Sequence, residues 1–124
     1  MFGLIAMSDE ITVYHNPRCS KSRRLLEILD ESAVRFRLYE YLDERPGVDE
    51  LTRVMGCLGI RDPREMMRTK EQSYVDEDLD SADADRLLQA MAQHPELIER
   101  PIVIRANAAI IARPPERVLE FLSN

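Results

Sequence analysis

A strand, a helix and a second strand follow one another near the start of the chain, and this order constrains the fold most strongly. Glu10–His15 is rich in β-branched and aromatic residues and leads into Asn16-Pro17, which predicts a strand that ends in a loop. Leucine and isoleucine side chains at helical spacing predict an amphipathic helix over Ser20–Glu31. Val34–Leu42 alternates apolar and polar residues, which predicts a second strand. A strand, helix and strand of this size form a βαβ unit, so we expect parallel strands. The second strand is expected to face the core with Val34, Phe36, Leu38 and either Tyr41 or Leu42.

The remaining sequence predicts a helical insert, a hairpin and a last helix. Helices are expected over Pro46–Gly59, from the N-cap Asp62 and Pro63 onward, and over Ser81–Pro95 with Ser81 as its N-cap. Two short strands, Ile102–Ile104 and Ala109–Ala112, are expected to pair antiparallel across a turn at Asn107. A helix from Pro114 or Pro115 would bury Val118, Phe121 and Leu122. The predicted class is α/β, with a mixed sheet of about four strands and a helical insert between the βαβ and ββα parts.

The composition favours one globular domain and excludes several functions. We expect a single domain over residues 10–124, preceded by a loose tail over residues 1–9 with Met7 as an alternative start. No apolar run approaches the length of a membrane span. A formal net charge of -6 argues against nucleic-acid binding, which needs a basic face. Without a secretion signal we expect a cytoplasmic protein whose two cysteines are reduced thiols.

One of these cysteines lies in a basic segment of the acidic chain. Cys19 is placed where a loop gives way to a helix, and Arg18, Lys21, Arg23 and Arg24 surround it in the sequence. A helix N-terminus carries unpaired N–H groups and partial positive charge, which lower a thiol pKa and bind oxyanions. The segment therefore predicts a nucleophile and an anion-binding site together, and the alternative is a structural cysteine beside solvated basic residues.

The spacing of nearby residues excludes other cysteine chemistries. Leu25 stands where the C-x5-R signature of low-molecular-weight phosphatases needs arginine, and Ser22 replaces the second cysteine of C-x-x-C. His15, Cys19, Cys57 and His94 lack the paired spacing of a zinc site, so we expect no metal. Cys57 lies near an apolar helical stripe and is expected to pack in the core.

Three separated segments carry a family resemblance. YHNPRCSKSR at Tyr14–Arg23, EMMRTKE at Glu65–Glu71, and HPELIERPIVI with IIARPPERVLEFL at His94–Leu122 resemble the glutaredoxin-coupled arsenate reductase family, the ArsC type. The resemblance covers Ile11 to Leu122. The PRCSKSR loop is more similar to an uncharacterised paralogue branch than to the operon-encoded reductases, which usually carry a Cys-Gly-Thr-Ser run. The implied fold is thioredoxin-like.

The resemblance also implies a chemistry and a set of residues. Cys19 matches the family's nucleophile, and His15 matches a residue that helps to keep the thiol ionised. Arg68, Arg100 and Arg113 match three arginines that bind the oxyanion, and the bond between Arg100 and Pro101 matches a cis proline. The helix start adds Ser20, Lys21, Ser22 and Arg23 as expected substrate-binding residues. The implied substrate is arsenate or a similar small oxyanion. No bound cofactor is expected, glutathione is a co-substrate, and glutaredoxin is the partner.

Two other functions fit parts of the same pattern. The Spx type, a regulator within the same structural superfamily, binds RNA polymerase and senses oxidants through C-x-x-C, a pair that Ser22 interrupts here. A monothiol oxidoreductase acting on glutathione mixed disulfides would need Cys19 but not all three arginines. Ser22 in place of the second cysteine weakens the redox-sensing regulator, and Arg68 and Arg113 favour an enzyme over a regulator.

Overall fold

A computed structural model describes residues 10–123, so the predicted tail over residues 1–9 lies outside the described residues. The chain divides into two compact units. The first contains residues 10–40 and 100–123, and the second contains Tyr41–Glu99. The single domain expected over residues 10–124 stays a prediction.

The first unit is built on a four-stranded mixed sheet. Its strands are β1 (Ile11–Tyr14), β2 (Arg37–Tyr39), β3 (Ile102–Arg105) and β4 (Ala108–Ile111), in the order β2-β1-β3-β4. β1 pairs with β2 in parallel and with β3 antiparallel, and β3 and β4 form the antiparallel hairpin. The expected mixed sheet, the parallel βαβ unit and the hairpin are confirmed, and the sheet is that of an α/β, thioredoxin-like fold.

The helices of the first unit cover this sheet through one apolar cluster. Helix α1 (Ser20–Glu31) has the predicted bounds, and its buried leucine and isoleucine side chains pack with the central strands. The central strands β1 and β3 are buried. Their β-branched residues stabilise the unit because their apolar surface is removed from water. The buried cluster consists of Ile11, Val13, Leu25, Ile28, Leu29, Val103, Ala112 and Val118.

The second predicted strand is shorter than expected. β2 spans only Arg37–Tyr39, and Leu38 is 41% exposed instead of facing the core. β2 lies at the edge of the sheet, where one side of the strand has no neighbouring strand, so alternation does not guarantee burial. Val34 and Phe36, which precede β2, pack against the cluster instead. Tyr41 and Leu42 belong to the next helix, so their assignment to the strand is wrong.

The second unit is the expected helical insert. It contains α2 (Tyr41–Glu44), α3 (Val48–Leu58), α4 (Gln72–Asp76) and α5 (Ala84–Gln93), with 3₁₀ helices at Pro63–Met66, Leu79–Ser81 and Pro95–Leu97. Gly59 ends α3 in the left-handed conformation that glycine adopts readily. α3 packs against α5, and both helices bury leucine side chains.

The helix starts differ from the predictions in three places. Asp62 caps a helix as expected, accepting the Arg64 N–H at 2.9 Å, but that helix is 3₁₀. Asp83 rather than Ser81 caps α5, because its carboxylate accepts the Arg86 N–H at 2.9 Å while Ser81 closes the preceding 3₁₀ helix. The last helix, α6 (Arg117–Ser123), begins after a turn at the two prolines and still buries Val118.

Within residues 10–123, the structure holds no helix that is long and apolar enough to cross a membrane.

Candidate active site

Cys19 lies at the junction that the sequence predicts, between the loop after β1 and the first turn of α1. It is the N-cap residue of α1, with an extended backbone at φ -92° and ψ 122°. Cys19 is a free cysteine and is partly exposed. The backbone N–H groups of the following turn have no carbonyl of an earlier helical turn to pair with, and they are available to an anion.

The surroundings of Cys19 favour the thiolate. Burial alone would raise the pKa of the thiol, but the Ser22 N–H, the Arg100 side chain and the Lys21 N–H together lower it from 9.0 to about 7. The Cys19 side chain does not cap the helix by a hydrogen bond. The two N–H groups and Arg100 therefore stabilise the thiolate as nearby donors. The nucleophilic thiolate is therefore populated at a lower pH than in an ordinary cysteine.

A network of hydrogen bonds holds the loop that carries Cys19. The Asn16 carbonyl accepts the Cys19 N–H at 3.0 Å, and the Asn16 Oδ1 accepts the Arg18 N–H at 2.9 Å. The Asn16 N–H donates to the buried Ser22 hydroxyl at 3.4 Å. The Arg23 Nη1 donates to the Pro17 carbonyl at 2.9 Å. These contacts fix the backbone on both sides of the sulfur.

The network changes what the expected substrate-binding residues of this segment can do. Ser22 offers its N–H to Cys19, while its hydroxyl is buried against the loop. The Arg23 side chain stabilises the loop by its hydrogen bond to the Pro17 carbonyl. Ser20 and Lys21 are exposed beside the thiol. Asn16 is the residue that sequence reasoning missed, and its position between a predicted strand and a proline was the available signal.

Arg100 and Arg113 come together at the open end of the β3–β4 hairpin. The Arg113 Nη1 donates to the Arg100 carbonyl at 3.0 Å, and both side chains are half-buried. Arg100 also acts on Cys19, by hydrogen bonding and by its charge. The expected cis bond between Arg100 and Pro101 is confirmed, and the bond between Arg113 and Pro114 is cis as well.

His15 is buried at the end of β1, with 6% of its surface exposed. Burial lowers its pKa below the ordinary value of 6.5, an effect that Glu40 opposes and Arg23 reinforces. No described residue makes a hydrogen bond to its Nδ1. A neutral imidazole acts through packing or hydrogen bonding rather than positive charge, and the role of His15 toward the thiol stays a prediction.

Arg68 belongs to the second unit and is held there by two carboxylates. Its Nε donates to Glu71 at 3.1 Å and its Nη1 donates to Glu99 at 3.2 Å. Its N–H donates to the Leu97 carbonyl at 2.7 Å, beside an isolated bridge between Met67 and Ile98. The guanidinium is thus fixed in orientation within its own unit, and its role toward an oxyanion stays a prediction.

The remaining titratable candidates do not form a metal site. Cys57 is a free, half-buried thiol in α3 rather than a fully buried core residue. His94 lies within 4 Å of two carboxylates, 3.7 Å from Glu77 and 3.8 Å from Glu96. Among residues 10–123, no three histidine, cysteine or acidic side chains are grouped so that they could hold a metal ion.

Comparisons with known proteins agree with this geometry. The family model described as the ArsC family matches residues 14–121. An arsenate reductase of Haemophilus influenzae is 45% identical over 114 residues, which cover 90% of this chain and 98% of that protein. The Escherichia coli K12 protein YfgD, described as uncharacterized, is 42% identical and covers 94% of this chain and 99% of its own length. The solved arsenate reductase of Vibrio cholerae superposes with a TM-score of 0.87 at 44% identity, covering 90% of this chain and 97% of that one.

Proposed function

Because the chain belongs to the ArsC family, we propose that it is an arsenate reductase in which the Cys19 thiolate is the nucleophile. The observation that carries the proposal is the position of Cys19 at the start of α1, with two backbone N–H groups and Arg100 stabilising its ionised form. The relatives whose names state this activity cover nearly the whole chain.

In the proposed first step, the Cys19 sulfur attacks the arsenic(V) of arsenate. A sulfur–arsenic bond forms, an arsenic–oxygen bond breaks, and the oxygen leaves as water after taking up protons. Arginine guanidinium groups neutralise an oxyanion well because they are planar, permanently charged and able to donate two parallel hydrogen bonds. We assign this role to Arg68, Arg100 and Arg113.

In the following steps, external thiols supply the electrons. Glutathione attacks the adduct and arsenic accepts two electrons, leaving as arsenite, while two thiols are oxidised to a disulfide. Glutaredoxin then reduces the disulfide between Cys19 and glutathione, which returns Cys19 to the thiol. An external thiol fits this chain because Cys57, its only other cysteine, is a half-buried residue within helix α3. The need for reduced glutathione favours the cytoplasm as the compartment of the reaction.

The test is to measure arsenite formed from arsenate while omitting one component at a time. With protein, glutathione and glutaredoxin present we expect multiple turnovers, and omission of either glutathione or glutaredoxin should stop them. Cys57→Ser should retain the activity, because the scheme uses no internal resolving cysteine. Turnover that continues without glutaredoxin, or that disappears in a folded Cys57→Ser protein, would contradict the scheme.

The same preparation separates the two alternatives. A monothiol oxidoreductase would reduce a glutathione mixed disulfide and keep that activity after Arg68→Ala and Arg113→Ala. A regulator of the Spx type would retain RNA polymerase in a pull-down and would not turn over arsenate. If the wild type forms no arsenite and gives either of these results, the corresponding alternative takes the place of the proposed function.

A further inference from the structure

A short antiparallel pairing within the second unit sets the position of Arg68. The Arg68 N–H donates to the Leu97 carbonyl at 2.7 Å, and the Glu99 N–H donates to the Met66 carbonyl at 2.9 Å. Arg68 and Glu99 are therefore diagonal neighbours across the pairing, a relation that long side chains can bridge. The Arg68 Nη1 donates to the Glu99 Oε1 at 3.2 Å. The backbone pairing thus brings one carboxylate to the guanidinium.

A turn brings a second carboxylate to the same guanidinium. The Glu71 N–H donates to the Arg68 carbonyl at 3.1 Å, which closes a β-turn. The Arg68 Nε donates to the Glu71 Oε2 at 3.1 Å. The side chains of Arg68, Glu71 and Glu99 are 26%, 32% and 23% exposed, so solvent screens their charges only in part. Two negative charges thus flank one positive charge in this half-buried group, which we name the Arg68 cluster.

One donor and one acceptor of the Arg68 cluster remain for a ligand. A guanidinium donates from three nitrogens, and an ionised carboxylate accepts on both oxygens. In the part of the chain that the structure describes, no residue makes a hydrogen bond to the Arg68 Nη2 or to the Glu71 Oε1. The Nε–Oε2 hydrogen bond joins the two side chains that carry these atoms, so both atoms lie within reach of one small ligand.

This donor and this acceptor together fit an oxyanion that carries a proton. Near neutral pH arsenate and phosphate each keep a hydroxyl group, whereas sulfate is fully ionised. The hydroxyl can donate to the Glu71 carboxylate while a neighbouring oxygen accepts from Arg68, and both are charge-assisted hydrogen bonds. Sulfate offers only acceptors, so it meets the two carboxylates with like-charge repulsion. Such a repulsive element against the wrong ligand is a common source of specificity.

We propose that Glu71, together with Glu99, determines specificity by making the oxyanion site select protonated oxyanions over sulfate. Glu71 accepts the hydrogen bond of the hydroxyl group, and Glu99 holds the Arg68 guanidinium and adds the second negative charge. The inference rests on the proposed function, which assigns Arg68 to the oxyanion, and it deepens that function by defining the class of substrate. Every contact in the argument lies within the second unit.

The test compares phosphate with sulfate, because the two ions share a tetrahedral shape and differ in the proton. Dissociation constants are measured at pH 7 and constant ionic strength by NMR titration of the isotopically labelled full chain, which needs no turnover. We expect the wild type to bind phosphate at least about tenfold more tightly than sulfate, as one charge-assisted hydrogen bond would give. Arg68→Met should weaken phosphate binding about tenfold, and unchanged phosphate binding overturns the proposal.

The decisive variant is Glu71→Gln, which keeps an oxygen acceptor for the Arg68 Nε and removes the negative charge. The preference for phosphate should fall to about threefold or less, chiefly because sulfate binds more tightly. A residue that only held Arg68 in place would affect both anions equally. A preference that is unchanged in the variant, or absent from the wild type, therefore overturns the proposal. Glu99→Gln, with the same expected direction, replaces Glu71→Gln if that variant unfolds.

Glu77 provides a matched control in the same unit. Its side chain is 32% exposed, as that of Glu71 is, and its Oε1 accepts the Arg86 Nη2 at 2.6 Å. Glu77→Gln removes the same charge and should leave the preference for phosphate unchanged. A decrease equal to that of Glu71→Gln would assign the effect to net charge and overturn the proposal. Circular dichroism checks the fold of each variant.

Measurement of arsenite formation alongside the titrations separates this proposal from the proposed function. A protein that reduces arsenate but keeps its anion preference in Glu71→Gln loses the specificity role and retains the proposed function. A protein that shows the predicted change in preference but forms no arsenite retains the specificity role and contradicts arsenate reduction. A wild type that binds neither phosphate nor sulfate overturns the specificity role, whatever its activity.

Discussion

Replacement of Arg100 by methionine should raise the Cys19 pKa more than any other single substitution of a side chain in the first unit. Arg100 stabilises the thiolate in two ways, by hydrogen bonding and by its charge, and the N–H groups of Ser22 and Lys21 account for the remaining stabilisation. The pKa lies about two units below its ordinary value of 9.0. Because burial opposes them, the stabilising groups together contribute more than this net difference, so we expect the loss of Arg100 to raise the pKa by about one unit, or roughly 1.4 kcal/mol.

This magnitude gives a specific alkylation profile. With Cys57→Ser as the parent, so that Cys19 is the only thiol, the midpoint of the rate of alkylation by iodoacetamide should move from near pH 7 toward about pH 8. Alkylation at pH 6 should slow about tenfold, while the rates near pH 10 should converge because both proteins are then almost fully ionised. A midpoint that stays near 7 in Arg100→Met, with the fold retained, would refute the role of Arg100. A midpoint near 9 in the parent would refute the stabilised thiolate itself.

Three further predictions concern the core, the buried histidine and the second unit. Leu25→Ala, at a fully buried position of α1, should lower the free energy of unfolding measured in urea by about 2–5 kcal/mol. Leu26→Ala, at a partly buried position of the same helix, should lower it clearly less. Equal losses of unfolding free energy would contradict the described core. The folded protein lowers the pKa of His15, so the unfolded chain binds a proton on this histidine more tightly, and stability should fall as the pH drops below 6.5. His15→Gln should therefore reduce the decrease in urea midpoint between pH 7 and pH 5. An unchanged decrease would contradict this expectation. Arg68→Met should raise the KM for arsenate at least about tenfold, as expected for loss of a charged hydrogen bond, and an unchanged KM would remove Arg68 from the proposed site.

Elements set by local pattern could be predicted from the sequence. The start of α1 at Ser20 and its end near Glu31 could be predicted, because the apolar spacing and the preceding proline-containing loop point to the same helix. The parallel βαβ unit and the hairpin also follow from short-range patterns. The position of Cys19 at a helix start was available for the same reason, since it depends only on where one loop ends.

Elements that depend on neighbours could not be predicted in this way. β2 is an edge strand, so the burial of Leu38 depended on what covers that side of the sheet rather than on alternation. Ser81 and Asp83 are both good N-cap residues, and only the preceding 3₁₀ helix decides between them.

In the candidate site too, some features follow from the local sequence and others depend on distant segments. The basic residues near Cys19 in the sequence suggested its electrostatics, but Arg23 binds the loop, and the side chain that lowers the thiol pKa comes from Arg100. Pairing of β1 with β3 brings these distant segments together, and periodicity carries no information on that pairing partner. Only the resemblance to a family singled out Arg100 in advance.

The central claim is that Cys19 is the nucleophile that reduces arsenate, and one comparison tests it most directly. Arsenite formation from arsenate, with glutathione and glutaredoxin present, is measured for the wild type, for Cys19→Ser and for Cys57→Ser at equal concentration. The account predicts turnover by the wild type and by Cys57→Ser, and none above background by Cys19→Ser. Comparable turnover by a folded Cys19→Ser protein, or none by the wild type, would contradict it.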